Sequence, residues 1–290
     1  MNKKKKVLSL FLTLIIIVLS IVGCQPVNNN FDKKNLDLND VMIVHYIDVG
    51  QGDSILIQVN NKNLLIDAGP GSSEDDVVNY LNKNNIKKLD YVLATHPHED
   101  HIGGMDQVIE NFEVGEFYSP KVAANTKTFK NMINELNKKN LKINIVAEGM
   151  GDEFNLGEGA KVEVYTPMKG AYGELNNYSP IMKVSYGETS FLFTGDAERE
   201  AELEAISSGT NLKSDVLKVG HHGSSLSTTE KFLEKVDPEV GVISVGAGNK
   251  YNHPTDETLN RLNDKSIKTY RTDIDGTVII KSDGENIILK

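Results

Sequence analysis

The sequence predicts an α/β protein in which helices cover sheets, and three observations support this fold class. Apolar runs of strand length alternate with segments of helical spacing along both halves of residues 41–290. No repeat of about 20–50 residues recurs, which argues against a solenoid. Hydrophobic residues make up 39% and charged residues 25% of the 290-residue chain, a balance that excludes a disordered or collagen-like protein.

The first half of residues 41–290 is predicted to open with a β-meander. Strands are expected where short apolar runs are bounded by turn residues. These runs are 41–47, 53–59, 64–66 and 90–94. Helices are expected where apolar residues recur every three or four positions. These segments are 74–82, 102–112 and 128–138.

The second half continues the alternation of strands and helices. The predicted strands are 161–165, 181–186, 191–193, 215–219, 240–245, 268–270, 277–281 and 286–289. Gly187-Glu188 predicts a tight hairpin between the second and third of them. The predicted helices are 197–206, 228–235 and 255–263. No shift in composition divides this region, so residues 41–290 are expected to form one domain.

The first 23 residues are interpreted as a lipoprotein signal peptide. Four lysines precede Val7–Val22, an almost unbroken apolar run of 16 residues, which is shorter than the roughly 20 residues of a membrane-spanning helix. Ile21-Val22-Gly23-Cys24 resembles the bacterial lipobox, in which the cysteine receives a diacylglyceryl group. Cys24 is the single cysteine, so the chain has no intramolecular disulfide. An uncleaved anchor with an incidental cysteine is the alternative.

Residues 24–40 are expected to form a flexible tether to the outer face of the cytoplasmic membrane. Both interpretations of the N-terminus place the following domain outside that membrane. Removing residues 1–23 removes four lysines and no acidic residue, so 27 basic and 41 acidic residues leave a net charge of −14 instead of −10. This acidity argues against a broad nucleic-acid interface. The sequence does not indicate an oligomeric state.

The segment from Thr95 to His101 carries the strongest chemical signal. Three imidazoles and two carboxylates lie within six residues, directly after a predicted strand. Imidazole and carboxylate together suit zinc, manganese or iron. His96 and His98 can face one side of a pocket while Asp100 and His101 enter from a second direction, an arrangement that suits two metal ions. A surface histidine cluster is the alternative, although such clusters rarely follow a buried strand.

The pattern His-x-His-x-Asp-His after a short strand resembles the signature of the metallo-β-lactamase fold hydrolases. Further segments resemble the ComEC-like subgroup, which comprises the extracellular hydrolase domain of ComEC competence proteins and free-standing relatives such as phosphorylcholine esterase domains. The subgroup segments are 48–53, 218–224 and 252–254, whereas segments 67–69 and 193–196 resemble motifs of the wider fold. The resemblance runs from about Val41 to the C-terminus. It implies a four-layer αβ/βα sandwich with two divalent metal ions, zinc or manganese, as cofactors.

The resemblance also implies a ligand set. The implied metal ligands are His96, His98, Asp100, His101, Asp196 and His222. The first two would hold one ion, Asp196 would bridge, and the other three would hold the second ion. Asp196 follows an apolar run, so a buried carboxylate there needs compensation such as a metal ion. A simple helix N-cap is the alternative for this residue.

Four more residues are expected around the substrate. His221 and His222 are adjacent and diverge, so His221 is assigned to substrate contact or proton donation, and the reverse assignment stays open. Many members of the superfamily have a further histidine ligand where this chain has Asn177 and Ser179, which are expected to hold water or substrate. His253 is expected to line the pocket, with a purely structural role as its alternative.

The expected function is a surface-anchored, binuclear metal-dependent hydrolase. A phosphodiester, in extracellular DNA or in the envelope, would be attacked by a hydroxide that bridges the metals. Asp100, His221 and His253 are the expected catalytic residues, and the amides of Gly103 and Gly104 are expected to favour an anion. One alternative is hydrolysis of an ester, lactone or amide by the same metals. The other is a non-catalytic lipoprotein that captures metal or DNA in competence.

Overall fold

A computed structural model describes residues 41–289 of the chain. The predicted signal peptide, the tether and Cys24 therefore lie outside the described residues. The described part folds into strands, helices and two sheets, which confirms the predicted α/β class. Among residues 41–289, no helix combines the length and the apolar character that crossing a membrane requires.

The secondary structure follows the predicted alternation. The strands are β1 (Met42–Tyr46), β2 (Ile55–Val59), β3 (Lys62–Ile66), β4 (Lys88–Leu93), β5 (Glu113–Ser119), β6 (Ile143–Ile145), β7 (Ala160–Val164), β8 (Met182–Tyr186), β9 (Thr189–Phe193), β10 (Val216–Lys218), β11 (Val240–Ile243), β12 (Lys268–Arg271), β13 (Val278–Ser282) and β14 (Ile287–Leu289). The α-helices are α1 (Glu74–Lys83), α2 (Glu99–Ile102), α3 (Met105–Asn111), α4 (Lys127–Lys138), α5 (Arg199–Ser207), α6 (Glu230–Val236), α7 (Asp256–Asp264) and α8 (Thr272–Asp275).

The strands form two mixed sheets. The first has the order β14-β13-β1-β2-β3-β4-β5-β6, and the second has the order β12-β11-β10-β9-β8-β7. Strands β3 to β6 run parallel in the first sheet, and β9 to β12 run parallel in the second. Ligand sites in such sheets lie at the carboxyl ends of parallel strands, where the loops gather.

Three hydrophobic clusters give the fold four layers. The central cluster joins side chains of both sheets, such as Tyr46 and Phe193. An outer cluster packs α1 to α4 on the first sheet, with Leu81 of α1 fully buried. The third packs α5 to α7 on the second sheet, with Phe232 of α6 fully buried. Because each sheet is covered on both faces, the predicted four-layer sandwich is confirmed.

The predicted helix over 102–112 is split at Gly103 and Gly104. A Cβ atom on Gly103 would lie 2.1 Å from the backbone nitrogen of Gly71, so only glycine permits this approach of α2 to the loop after β3. The Gly104 amide donates to the Gly69 carbonyl at 3.1 Å. The expectation that the Gly104 amide is available to an anion is therefore wrong, because a loop carbonyl already occupies it.

Two strands of the first sheet were not predicted. Strand β5 begins with four residues that are exposed or only partly buried, including Glu113 and Glu116, so its sequence lacks an apolar run. Strand β6 is a three-residue edge strand without a fully buried side chain. Both are defined by pairing with a neighbour, β5 with β4 and β6 with β5. Such long-range pairing leaves little signal in the local pattern.

His45 of β1 predicts a pH dependence of stability. Its Nδ1 lies 2.8 Å from the Tyr80 hydroxyl, and its Nε2 lies 3.0 Å from Oε1 of Gln58. Burial lowers the pKa of His45 to about 4, an effect that the Gln58 hydrogen bond only partly offsets. Because the folded-state pKa is depressed, the neutral ring contributes stability above pH 6.5, and this contribution is lost as the pH falls toward 4.

We therefore expect acid to destabilise the wild-type chain more than His45→Asn. Between pH 7 and 4, the free energy of unfolding should fall by about 3 kcal/mol more in the wild type. Denaturant unfolding of metal-depleted protein at several pH values measures the difference and removes the effect of metal release. Parallel pH curves for the two proteins would contradict a neutral, buried His45.

Candidate metal centre

The candidate site lies where loops from both sheets meet at the carboxyl ends of their parallel strands. The loop after β4 leads through Thr95 and His96 into α2, and the loops after β9 and β10 approach from the second sheet. They border a cleft of about 780 Å³. The ionisable side chains that line this cleft are His98, Glu99, Asp100, Asp196, His221, His222, Lys250, Tyr251 and His253.

One oxygen of Asp196 is the centre of the cluster. Asp196 is 1% exposed, and its Oδ2 faces four imidazole Nε2 atoms. The distances are 3.2 Å to His101, 3.5 Å to His221, 3.5 Å to His222 and 3.9 Å to His96. A carboxylate surrounded by several ring nitrogens is placed to contact more than one cation.

Asp100 completes a candidate metal position from a second direction. Its Oδ2 lies 3.3 Å from Nε2 of His222 and 4.0 Å from Nε2 of His101. The ligand atoms of Asp100, His101, Asp196 and His222 all lie within 4.8 Å of one another. Two imidazole nitrogens and two carboxylates form a donor set that suits a divalent transition metal.

The hydrogen bonds behind the ligands determine which ring nitrogen faces the centre. Nδ1 of His101 lies 2.8 Å from Oδ2 of Asp67, and Nδ1 of His222 lies 2.9 Å from the Ser244 carbonyl oxygen. A carboxylate and a carbonyl can only accept, so in each ring Nδ1 carries the proton that is donated. In the neutral rings, both Nε2 lone pairs therefore point toward the oxygens of Asp196.

Such converging lone pairs require a cation. Nε2 of His101, Nε2 of His222 and Oδ1 of Asp196 are buried, and none has a hydrogen bond of acceptable geometry among the described residues. Leaving several buried acceptors without a partner costs free energy at each one. A metal ion would satisfy all three atoms at once, so the residues present fit a metal.

The electrostatics of the side chains agree with this view. Burial alone would lower the pKa of both rings, but Asp196 and the other carboxylates raise that of His222 to about 10 and hold that of His101 well above 6.5. Burial likewise opposes ionisation of Asp196, yet the adjacent imidazoles keep its pKa well below 3.8. The carboxylates that raise the pKa of these rings would equally favour a metal ion at the same nitrogens, and metal binding would compete with protonation there.

His96 and His98 form a second candidate pair. Nε2 of His96 lies 2.9 Å from Nδ1 of His98, and Nδ1 of His96 lies 3.1 Å from Oγ1 of Thr95 and 3.2 Å from Oγ of Ser179. Burial, and then the charge of His101, hold the pKa of His96 well below 6.5. His96 is therefore a neutral ring in contact with Asp196, the protonation state that a metal ligand needs.

The structure does not place Asn177 or Ser179 among the residues that line the cleft. Oδ1 of Asn177 accepts from the backbone amides of Glu198, at 3.1 Å, and Ala201, at 3.3 Å, and so caps α5. The hydroxyl of Ser179 accepts from the Asp196 amide at 3.1 Å. Both side chains hold the loop of Asp196 from behind, whereas the sequence predicted that they would contact substrate or water.

His221 and His222 take different directions from adjacent positions. Both have left-handed backbone angles, with φ of 47° and 54°, which are uncommon for side chains of this size. His222 turns into the buried cluster, and His221 lines the cleft with 21% of its side chain exposed. Nδ1 of His221 lies 3.4 Å from Oε1 of Glu198, and its ring meets that of His253 edge-on at 5.4 Å.

Sequence reasoning assigned no role to Asp53 and Lys218, which form a buried ion pair beneath the ligands. Nζ of Lys218 lies 2.8 Å from Oδ2 of Asp53, and the two residues are 0% and 1% exposed. The other oxygen of Asp53 lies 3.5 Å from Nδ1 of His222. A Cβ on Gly52 would lie 2.2 Å from the Asp100 carbonyl oxygen, so glycine brings this loop against α2. The sequence signal that could have identified this ion pair is Lys218 itself, a charged residue at the end of a predicted apolar strand.

Comparison with known proteins identifies relatives. Residues 47–247 match the family described as the metallo-beta-lactamase superfamily. ComE operon protein 3 of Bacillus subtilis (strain 168) is 31% identical over 253 residues, which cover 81% of this chain and 32% of that protein. Competence protein ComA of Neisseria gonorrhoeae is 30% identical over 233 residues, which cover 80% of this chain and 31% of that protein. The chain thus spans about a third of the length of these curated relatives.

Solved structures share the architecture. CmlA, a diiron beta-hydroxylase from Streptomyces venezuelae, superimposes with a TM-score of 0.54 and 14% identity over 86% of this chain and 54% of its own. Igni18, a metallo hydrolase from Ignicoccus hospitalis, gives a TM-score of 0.52 and 17% identity over 82% and 98% of the two chains. At such identities, the likeness concerns the fold alone.

Proposed function

The chain belongs to the metallo-β-lactamase superfamily of metal-dependent hydrolases, and from this premise we propose that it is a surface-anchored, binuclear phosphodiesterase. One observation carries the proposal. The unsatisfied ring nitrogens of His101 and His222 converge on Asp196 at the base of an open cleft. Divalent ions held there would meet any anion that enters the cleft.

Two groups of residues would hold the ions. Asp100, His101 and His222 would hold one, His96 and His98 would hold the other, and Asp196 would contact both. When bound, two divalent ions, zinc or manganese, lower the pKa of a coordinated water toward neutrality and offset the charge that builds on the phosphoryl oxygens. The residues behind the ligands support this set, because Asp67 and the Ser244 carbonyl fix the tautomers of two rings.

His221 is the favoured proton donor. The contact with His221 is the main reason why the pKa of Glu198 lies below its ordinary value, so Glu198 is an anion beside Nδ1 of His221. Nδ1 of His221 thus faces a negative charge, and its Nε2 faces Asp196 and the cleft. Burial and the neighbouring histidines lower the pKa of His253 to about 4, which leaves His253 neutral. We assign leaving-group protonation to His221 and hydrogen bonding of a phosphate oxygen to His253.

The choice of a phosphodiester rests on two further observations. The sequence has no histidine between His101 and His221, so the ion that His96 and His98 would hold would have fewer protein ligands and would leave room for a substrate oxygen. A protein named for competence is among the relatives, which favours DNA among the phosphodiesters considered. Hydrolysis of an ester, lactone or amide would use the same residues, and a non-catalytic protein would capture metal or DNA with them.

A substrate series separates these activities. The purified chain, supplied with zinc or manganese, is offered bis(4-nitrophenyl) phosphate, single-stranded DNA, a phosphorylcholine ester, a lactone and a β-lactam. We expect turnover of phosphodiesters that EDTA abolishes and added metal restores, and equal turnover by the control His45→Asn. Turnover of the lactone or the β-lactam alone would overturn the choice of substrate. Metal binding without any turnover would indicate a capture protein.

Anchoring at the outer face of the cytoplasmic membrane is the remaining part of the proposal. It rests on the lipobox-like segment that ends in Cys24, which lies outside the described residues. Cell fractionation of Cys24→Ala checks it, since loss of the lipid should move the protein out of the membrane fraction. Unchanged membrane association would favour an uncleaved N-terminal anchor.

A further inference from the structure

One wall of the cleft is a loop that a single side chain holds in place. Oδ1 of Asn249 accepts from the amides of Tyr251 and His253, both at 3.1 Å. Its Nδ2 donates to the carbonyls of Gly246, at 3.0 Å, and His253, at 2.6 Å. Four hydrogen bonds from one amide group give this irregular segment a defined shape, so the side chains that it presents to the cleft are preorganised.

Tyr251 is the side chain that this loop presents most openly. The residue is 52% exposed and lines the cleft. Its ring stacks on that of His253, with centroids 5.8 Å apart and planes at 26°. His253 in turn contacts His221, whose Nε2 lies 3.5 Å from Asp196. Two ring contacts therefore connect an exposed aromatic ring to the candidate metal centre.

Lys250 places a positive charge beside that ring. Its Nζ lies 5.0 Å from the centroid of Tyr251, in cation–π contact. Lys250 also lines the cleft, where the other charged residues include Glu99, Asp100 and Asp196. This lysine argues against a ligand with a quaternary ammonium group, because the two positive charges would repel each other. A nucleotide instead offers a base to the ring and a phosphate to the ammonium group.

We propose that Tyr251 and Lys250 form a subsite beside the metal centre that binds the base and the adjacent phosphate of a nucleotide in a single strand. The inference rests on the proposed phosphodiesterase function and narrows its substrate class. The ring would stack on the base next to the cleaved phosphodiester, and the lysine would bind an adjacent phosphate. Single strands are favoured because paired bases are already stacked within a duplex and because the acidic chain offers no broad basic face to a duplex.

A fluorescent base tests stacking without requiring catalysis. The chain contains no tryptophan, so 2-aminopurine in a short single-stranded oligonucleotide can be excited selectively. In EDTA, the full chain should quench this fluorescence, and Tyr251→Phe should retain the effect. Tyr251→Ala should weaken binding about tenfold, as expected for one base–aromatic stack. Ile274→Ala, an exposed residue that does not line the cleft, is the matched control and should bind as the wild type.

Hydrolysis of matched substrates separates this inference from the proposed function. With metal, the wild type should cleave an oligonucleotide with a lower KM than an abasic oligomer of the same backbone, and Tyr251→Ala should lose that preference. Quenching without hydrolysis of either oligomer would support the subsite and overturn the phosphodiesterase. Hydrolysis with equal KM for both oligomers, or undiminished quenching by Tyr251→Ala, would overturn the subsite and leave the phosphodiesterase intact.

Discussion

Replacing Asp196 by asparagine is expected to lower kcat/KM for a phosphodiester about a thousandfold and to reduce the bound metal. The substitution keeps the size of the side chain but removes the charge that faces four imidazole nitrogens at 3.2–3.9 Å. An amide nitrogen also introduces a donor where a cation would bind. The loss of activity and metal should therefore exceed the loss caused by replacing a residue that only supports a metal ligand.

Metal analysis and steady-state kinetics measure the two effects on the same preparation. Asp237→Asn is the matched control, because Asp237 lies in an exposed ion pair with Lys213 and does not line the cleft. It should retain wild-type activity and metal content. A fully active Asp196→Asn variant with its normal metal content would remove the central ligand from the proposed mechanism.

Replacing Lys218 by methionine is expected to destabilise the fold by about 3–5 kcal/mol. The substitution leaves the Asp53 carboxylate, which is 1% exposed, without the ammonium group that lies 2.8 Å away. A buried charge without its partner keeps its desolvation penalty and loses the compensating attraction. The double variant Asp53→Asn with Lys218→Met should regain much of the loss, because it removes both charges.

Denaturant unfolding of metal-depleted protein measures these free energies and completes a double-variant cycle. Lys213→Met is the control for removal of a lysine from an ion pair. Nζ of Lys213 lies 3.3 Å from Oδ2 of its partner Asp237, but both side chains are about two-thirds exposed or more. The free energy of unfolding should therefore change by no more than about 0.5 kcal/mol. Equal effects of Lys218→Met and Lys213→Met would show that the buried pair has no special importance for the fold.

Much of the fold was predictable because its signals are local. Buried strands such as β1 and β9 are short apolar runs, and helices such as α4 carry apolar residues on one face. The exposed beginning of β5 and the short edge strand β6 carry no such pattern. They were missed because their conformation depends on neighbours that the local sequence does not reveal.

The candidate site was likewise predictable only in part. The motif from Thr95 to His101 is contiguous, so its residue types alone indicated a metal site. Asp67 and Ser244 fix the tautomers of His101 and His222 across 34 and 22 residues of sequence. No local pattern reports such a contact. The separate directions of His221 and His222 likewise depend on the backbone angles of one loop.

The sequence by itself determined the superfamily, the four-layer architecture and the residue types available to bind metal. The first two followed from the resemblance of its motifs to a known family, and the third can be read directly from the residues of those motifs. Only the tertiary structure decided which ring nitrogens face Asp196, that Asn177 caps α5, and that Tyr251 and Lys250 stand beside the cleft. The physical reason is that a donor set or a stacking face exists only where separate loops converge, and long-range strand pairing places those loops.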